Sequence, residues 1–191
     1  LGATPKLWML KQRASATGLW IVRSTEFANT HYLQLDDNAA IRNPSSDVTG
    51  DADPTTSVVP IGDADSNNNA DYIGYFWSEV EGYSRFGSYD ASGWPYPSVW
   101  CGFKPAFIMI KPTSNSGHWG MWDNKRDTHN ETMARITVNS TNNEYVNSVV
   151  GLDILSNGFR LQTSDTDSNG SGRSYIFCAW AETPTKYSNA R

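Results

Sequence analysis

Asp165, Asp167 and Asn169 stand at alternate positions ahead of Gly170. Oxygen side chains at that spacing open the loops that wrap calcium. Such a loop closes on a bidentate Glu at its twelfth position, and here that position is Ile176. The same residues also make turns before a strand, because Asp and Asn side chains bond their own backbone, so no metal is assigned. Asp63, Asp65 and Asn67 echo the pattern without the Gly. His31, His118 and His129 lie in unrelated segments, where metal or acid–base work needs convergence with a Cys or carboxylate; they read as surface or turn residues. Glu79 and Glu81 fall on one face of an expected strand, and Glu79 recurs as Glu182. A structural salt bridge or loop hydrogen bond suits them better than hydrolysis, which requires a facing pair about 5–9 Å apart. No nucleophile elbow, P-loop or dinucleotide fingerprint is present. No catalytic residue and no cofactor follow, and the chain reads as a non-enzyme. Trp94, Tyr96 and Trp100, beside polar loops, have the flat apolar faces that stack on sugar rings. Packing in the core and between halves of the chain is the preferred reading for them, because aromatics are usually buried. Asn130-Glu-Thr132, Asn139-Ser-Thr141 and Asn169-Gly-Ser171 match the N-glycosylation acceptor pattern.

The elements that position these residues follow from a repeat. Leu1-Gly-Ala-Thr-Pro-Lys-Leu-Trp-Met-Leu-Lys11 lies over Cys101-Gly-Phe-Lys-Pro-Ala-Phe-Ile-Met-Ile-Lys111 at an offset of 100. Gly18 and Trp20 then meet Gly117 and Trp119, and Asp63–Asn67 meets Asp165–Asn169. Tyr72-Ile-Gly-Tyr-Phe-Trp-Ser-Glu79 meets Tyr175-Ile-Phe-Cys-Ala-Trp-Ala-Glu182 at an offset of 103, and Tyr83-Ser84 meets Tyr187-Ser188. Ordered identities over the whole length indicate a tandem duplication. Repeat 1 is placed at 1–89, an aromatic connection at 90–100 and repeat 2 at 101–191. Cys101 and Cys178 align with Leu1 and Tyr75, so buried free thiols are expected. A bridge is the alternative if the two Cα atoms lie within about 7 Å.

Short segments rich in aromatic and β-branched residues, bounded by Gly, Pro, Asn and Ser, predict strands. They run over 6–11, 19–23, 32–36 and 71–80 in the first half. In the second they run over 106–111, 119–123, 135–139, 152–155, 159–162 and 174–182, with a strand-like piece at 96–100. Ser156-Asn157-Gly158 predicts a hairpin with positive φ values. The strand over 71–80 is apolar on both faces, which predicts a central position. Helical periodicity is lacking. The expected fold is all-β: two tandem antiparallel β-sandwich repeats, jelly-roll-like, with little helix.

Composition removes other classes. The 191 residues carry a net charge of −5 and only 18% charged residues, with 13% aromatic. A pI near 5.1 without a basic cluster argues against nucleic acid, which needs concentrated positive charge. The longest apolar runs, such as Ala106–Ile110, fall far below the roughly 20 residues of a membrane-spanning helix. A start at Leu1 rather than Met suggests processing or origin in a longer protein.

Four blocks carry a resemblance. Glu79-Val-Glu-Gly-Tyr-Ser-Arg-Phe-Gly-Ser-Tyr89, Cys101 to Lys111, Leu155-Ser-Asn-Gly-Phe-Arg-Leu161 and Tyr175 to Glu182 resemble a repeated domain of unknown function. It occurs near the C-termini of bacteriophage tail-fibre or adsorption-type proteins. The resemblance implies a β-rich structural or receptor-contacting module in a multimeric assembly, extracellular or on the virion surface, with no catalytic motif to transfer. Two functions are expected from it and from the repeat. One is adhesion through a cell-surface glycan. The other is a self-associating fibril subunit: copy two is preceded by the strand-like piece 96–100, and copy one's last strand runs on into 82–89. Those pieces would let neighbouring protomers exchange strands.

Overall fold

The computed structural model describes residues 2–13, 18–43, 46–62 and 69–184. Asp63 to Asn67 and Tyr187-Ser188, used in the repeat alignment, lie outside them. The chain divides into two compact units, Leu1–Ser78 and Glu79–Arg191.

The first unit holds β1 (Leu7–Gln12), β2 (Trp20–Ser24), β3 (Leu33–Gln34), a four-residue helix α1 (Ser46–Thr49) and β4 (Tyr72–Trp77). Among the described residues these strands form one antiparallel sheet in the order β3-β2-β1-β4. Period-two alternation sends Trp8 and Leu10 of β1 to one face. There they cluster with Ile21, Tyr32 and Val48, and Leu19 and Val59 pack against the cluster. The opposite face carries a row of aromatic rings. Tyr75 stacks between Trp20, at 6.2 Å, and Trp77, at 6.1 Å. The expected central strand is β4, and it sits instead at the sheet margin with Ile73, Tyr75 and Phe76 all exposed. Apolar residues on both faces gave the same signature as burial on two sides.

The second unit is a two-layer sandwich. Its strands are β5 (Ser84–Ala91), β6 (Ser98–Trp100), β7 (Pro105–Pro112), β8 (Gly120–Asp123), β9 (Ala134–Thr137), β10 (Tyr145–Val146), β11 (Leu152–Leu155), β12 (Gly158–Leu161) and β13 (Arg173–Ala181). A six-stranded sheet has the order β10-β9-β8-β7-β13-β5, and a three-stranded sheet the order β11-β12-β6. One core cluster joins their facing sides. Ile108, Ile110, Trp122, Tyr175 and Phe177 come from the larger sheet, and Val99, Leu152, Ile154, Phe159 and Leu161 from the smaller. Phe159 meets Phe177 edge-on at 5.5 Å, a geometry that adds to area burial. Cys101 and Cys178 are buried free thiols.

The strand order of β3-β2-β1-β4 recurs as β9-β8-β7-β13. The registers also agree under the offsets of the sequence repeat. Met9 faces Val22 and Tyr75, and Met109 faces Met121 and Cys178.

Two expectations about boundaries change. Residues 84–89, read as the end of the first repeat, and 90–91, read as the start of the connection, together form β5, which is paired to β13 from Ser84↔Trp180 to Ala91↔Arg173. Residues 90–100 contain the end of β5 and all of β6, and they belong to the second compact unit. Eight backbone pairings outweigh what sequence adjacency to β4 suggests. The β11–β12 turn, Ser156-Asn157, also has no positive φ. Gly158 lies in β12 opposite Trp100 for a different reason: a Cβ there would stand 2.0 Å from the carbonyl oxygen of Val99.

Candidate functional site

The first edge of each sheet in the second unit contributes to one hollow. β5 is the margin of the larger sheet and β6 the margin of the smaller. Arg85 from β5, Trp100 from β6 and the turn Glu79–Gly82 line a space of about 350 Å³, with Cys101 and Gly102 beneath. That volume lies within the range of about 300–1,000 Å³ usual for small-ligand sites.

Local chemistry makes this hollow stiff. Val80 pairs with Ser84 across a tight turn, closed by Tyr83 N–H and Ser84 N–H on the Val80 carbonyl, both at 2.9 Å. Gly82 takes φ +74° in that turn, a conformation that favours glycine. The turn aims Glu79 back along β5, where its carboxylate accepts Phe86 N–H at 3.2 Å and faces the Arg85 guanidinium at 3.4 Å. The guanidinium stands 5.5 Å from the centroid of the Trp100 ring. Gly102, at φ +84°, leaves room for that ring, whose edge would lie 3.0 Å from any Cβ there. Trp100 nonetheless remains 61% exposed. Burial pushes the Cys101 thiol up to about 12, against a smaller opposing pull from Arg85; it is an inert floor rather than a nucleophile.

β6 explains the exposure of Trp100. Alternation turns Val99 into the core and both Ser98 and Trp100 outward. Trp94 is 74% exposed and meets Tyr96 edge-on at 4.9 Å. The preferred sequence reading, burial in the core, therefore fails for Trp94 and Trp100. Tyr96 lines a second, wider cleft of about 650 Å³ with Glu131, Gln162, Thr163 and Asp165.

The calcium-like residues serve other partners. Asp165 binds the guanidinium of Arg135 at 2.6 Å, and Asp167 lies 3.5 Å from it. Asp167 also accepts His118 N–H at 2.8 Å. Asn169, fully buried, donates to the Thr163 carbonyl at 2.7 Å and the Gly93 carbonyl at 3.3 Å. Arg135, 6% exposed, thus stands where a cation would stand, 6.0 Å from the Trp122 ring and 5.4 Å from the Tyr145 ring. Among the described residues no group of three or more His, Cys, Asp or Glu is placed to hold a metal ion.

Burial also removes Asn169 as a glycosylation acceptor, because its amide nitrogen is already engaged on both sides. Asn130 is exposed, but its amide mimics a backbone unit, exchanging two 2.9 Å bonds with Ile154. Asn139 is half-buried and accepts Trp119 N–H at 3.0 Å through Oδ1. His31 and His129 each pair with the preceding Thr at 3.0 Å. Glu79 and Glu81 do not share a strand face, since Glu79 lies in the link after β4 and Glu81 in the turn before β5. Glu182 instead binds Lys125 at 2.5 Å.

Arg85 and Arg135 were not singled out by sequence reasoning. Arg135 carried a signal, a cation inside an otherwise apolar strand segment, without a partner visible nearby. Glu131 was missed too. Its carboxyl titrates above the ordinary range, through burial first and then the charge of Asp153.

Comparison with known proteins adds one match. A family described as a domain of unknown function (DUF7483) matches residues 1–184. No curated protein and no solved structure matches the chain.

Proposed function

The chain belongs to the DUF7483 family, a domain of unknown function, and we propose, from the resemblance of its sequence blocks, that it is a structural, non-catalytic module of the tail-fibre or adsorption type. Its role is adhesion to a surface glycan, outside the cell or on a virion. The observation that carries this reading is the exposed indole of Trp100 in the wall of one hollow, together with Tyr96 in the wall of the other, against which the exposed Trp94 packs edge-on. Large aromatics left in water at polar clefts suit ligands with one apolar face and many hydroxyls. Among the described residues no helix is long and apolar enough to cross a membrane. A glycan array and cell-adsorption assay on the purified chain test the reading. Saturable binding without release of reducing sugar supports it; flat arrays, or glycan cleavage, overturn it.

A second reading, fibril assembly by strand addition, is favoured by β4. Among the described residues, β1 is its hydrogen-bonded neighbour in the sheet, and Ile73 to Phe76 are exposed. Its topological counterpart β13 carries β5 on the corresponding edge. Since β5 is spent within its own chain, a partner protomer has to donate a different segment. Sedimentation over a wide concentration range, with negative-stain microscopy, tests it; a monomer at every concentration overturns it.

A further inference from the structure

We propose that the hollow between β5 and β6 binds a neutral, mostly equatorial pyranose, with the sugar's C–H face on Trp100 and its hydroxyls on Glu79 and Arg85. The inference rests on the adhesion reading and assigns its site and ligand class. Three features carry it.

The Trp100 platform is pre-organised. Phe86 N–H holds the Glu79 carboxylate, Glu79 holds the Arg85 guanidinium, and the guanidinium flanks the indole, whose edge sits against the backbone at Gly102. Ordering four groups around a ring that stays 61% exposed costs conformational entropy without the burial that normally offsets it. Such stiffening gains its return when a ligand arrives, since no further ordering is then required.

The hollow's shape and chemistry match a sugar ring. A flat apolar face is bordered by a carboxylate, an acceptor, and a guanidinium, a donor. Pyranose hydroxyls donate and accept at once, and equatorial hydroxyls leave axial C–H bonds to form a flat apolar face.

Charge selects within that class. The guanidinium already faces Glu79 at 3.4 Å, so no unpaired cation is offered to a sugar carboxylate. A uronate or sialate would meet a guanidinium already committed to Glu79, so its own charge would be desolvated in the hollow without a partner, which is costly. Neutral sugars escape that penalty.

The test uses the full chain with methyl β-D-glucopyranoside, methyl β-D-galactopyranoside and N-acetylglucosamine, against glucuronic and N-acetylneuraminic acids. Binding is read by tryptophan fluorescence and ligand-observed NMR. At least one neutral probe is expected to bind, Trp100→Ala to weaken it about 30-fold, and Trp100→Phe to retain most of the affinity. Thermal unfolding of each variant shows that the fold is kept. Binding unaffected by Trp100→Ala, or confined to the acidic sugars, overturns this site while leaving adhesion standing. Failure to bind any probe or any array glycan overturns the adhesion reading together with it.

Discussion

Replacing Arg135 by Met tests whether the Asp165–Asp167 loop is held by a protein cation. Arg135 is nearly fully buried and binds Asp165 at 2.6 Å with Asp167 at 3.5 Å. Met keeps the stem's packing on Trp122 and Tyr145 but leaves two carboxylates, 17% and 12% exposed, facing the vacated position. Breaking a buried pair by removing one partner costs about 3–5 kcal/mol. For a unit of this size that lowers the melting temperature by about 10–20 °C. The loss also depends on pH. Asp165 already titrates above its ordinary 3.8 because burial outweighs the pull of Arg135, and Asp167 adds to the rise. A carboxyl raised in the folded state contributes stability that is complete below the unfolded value and lost as pH climbs through the folded value. Without Arg135 the folded value rises further, so the gap between variant and parent widens from about pH 4 upward. Urea unfolding of both proteins from pH 3 to pH 7, followed by tryptophan fluorescence, measures it. A gap that is the same at pH 3 and pH 7, or below about 1 kcal/mol at neutrality, refutes the reasoning.

Neither thiol is expected to react with a thiol reagent at pH 8 in the folded chain, because burial holds Cys101 up at about 12 and Cys178 above that; both should react in denaturant. Gly158→Ala places a Cβ 2.0 Å from the Val99 carbonyl oxygen and is expected to cost about 3 kcal/mol in urea unfolding. Gly172→Ala has open space and only φ +70° against it, and should cost about 1 kcal/mol. In Asp123 burial works to raise the carboxyl, but backbone and side-chain bonds from Arg126, then the Lys125 N–H, hold it below its ordinary range. Its contribution is present above 3.8 and lost as pH falls through the lower folded value. Asp123→Asn should therefore cost about 1–2 kcal/mol at pH 7 and nothing in strong acid, read by thermal unfolding at both pH values.

Most strands were legible because their local pattern and their environment agree. β1, β7, β11 and β13 are aromatic or β-branched runs bounded by turn residues, and each lies within two residues of its expected place. β5 was missed as an independent strand. Its sequence, Ser-Arg-Phe-Gly-Ser-Tyr-Asp-Ala, mixes polar and small residues, and its reason to be extended is a partner more than 80 residues away, which no local pattern reports. Gly87 shows the point, since its missing side chain makes room for the ring of Phe177. In β4 the apolar residues were read correctly and their environment was not, because composition does not distinguish a strand between two neighbours from one at a margin. The exposed Trp100 was within reach: period-two alternation around Val99 sends it outward, and a general expectation that aromatics are buried outweighed that local rule. The ring of Asp165 around Arg135 was out of reach, as was the convergence of Glu79, Arg85 and Trp100. Both depend on which strands become neighbours.

The pairing of β13 with both β7 and β5 has a consequence for biosynthesis. Strand β13 is the last of the described strands to leave the ribosome, yet it occupies an interior place in the six-stranded sheet. Until it emerges, β5 and β7 have no common neighbour and the core face of Ile108 and Ile110 has no lateral seal. The second unit must therefore be completed after translation of residues 173–181, by contacts of large sequence separation, which is the slow regime of folding. A nascent chain stalled before Arg173 would present the quality-control machinery with two unsatisfied strand edges at once.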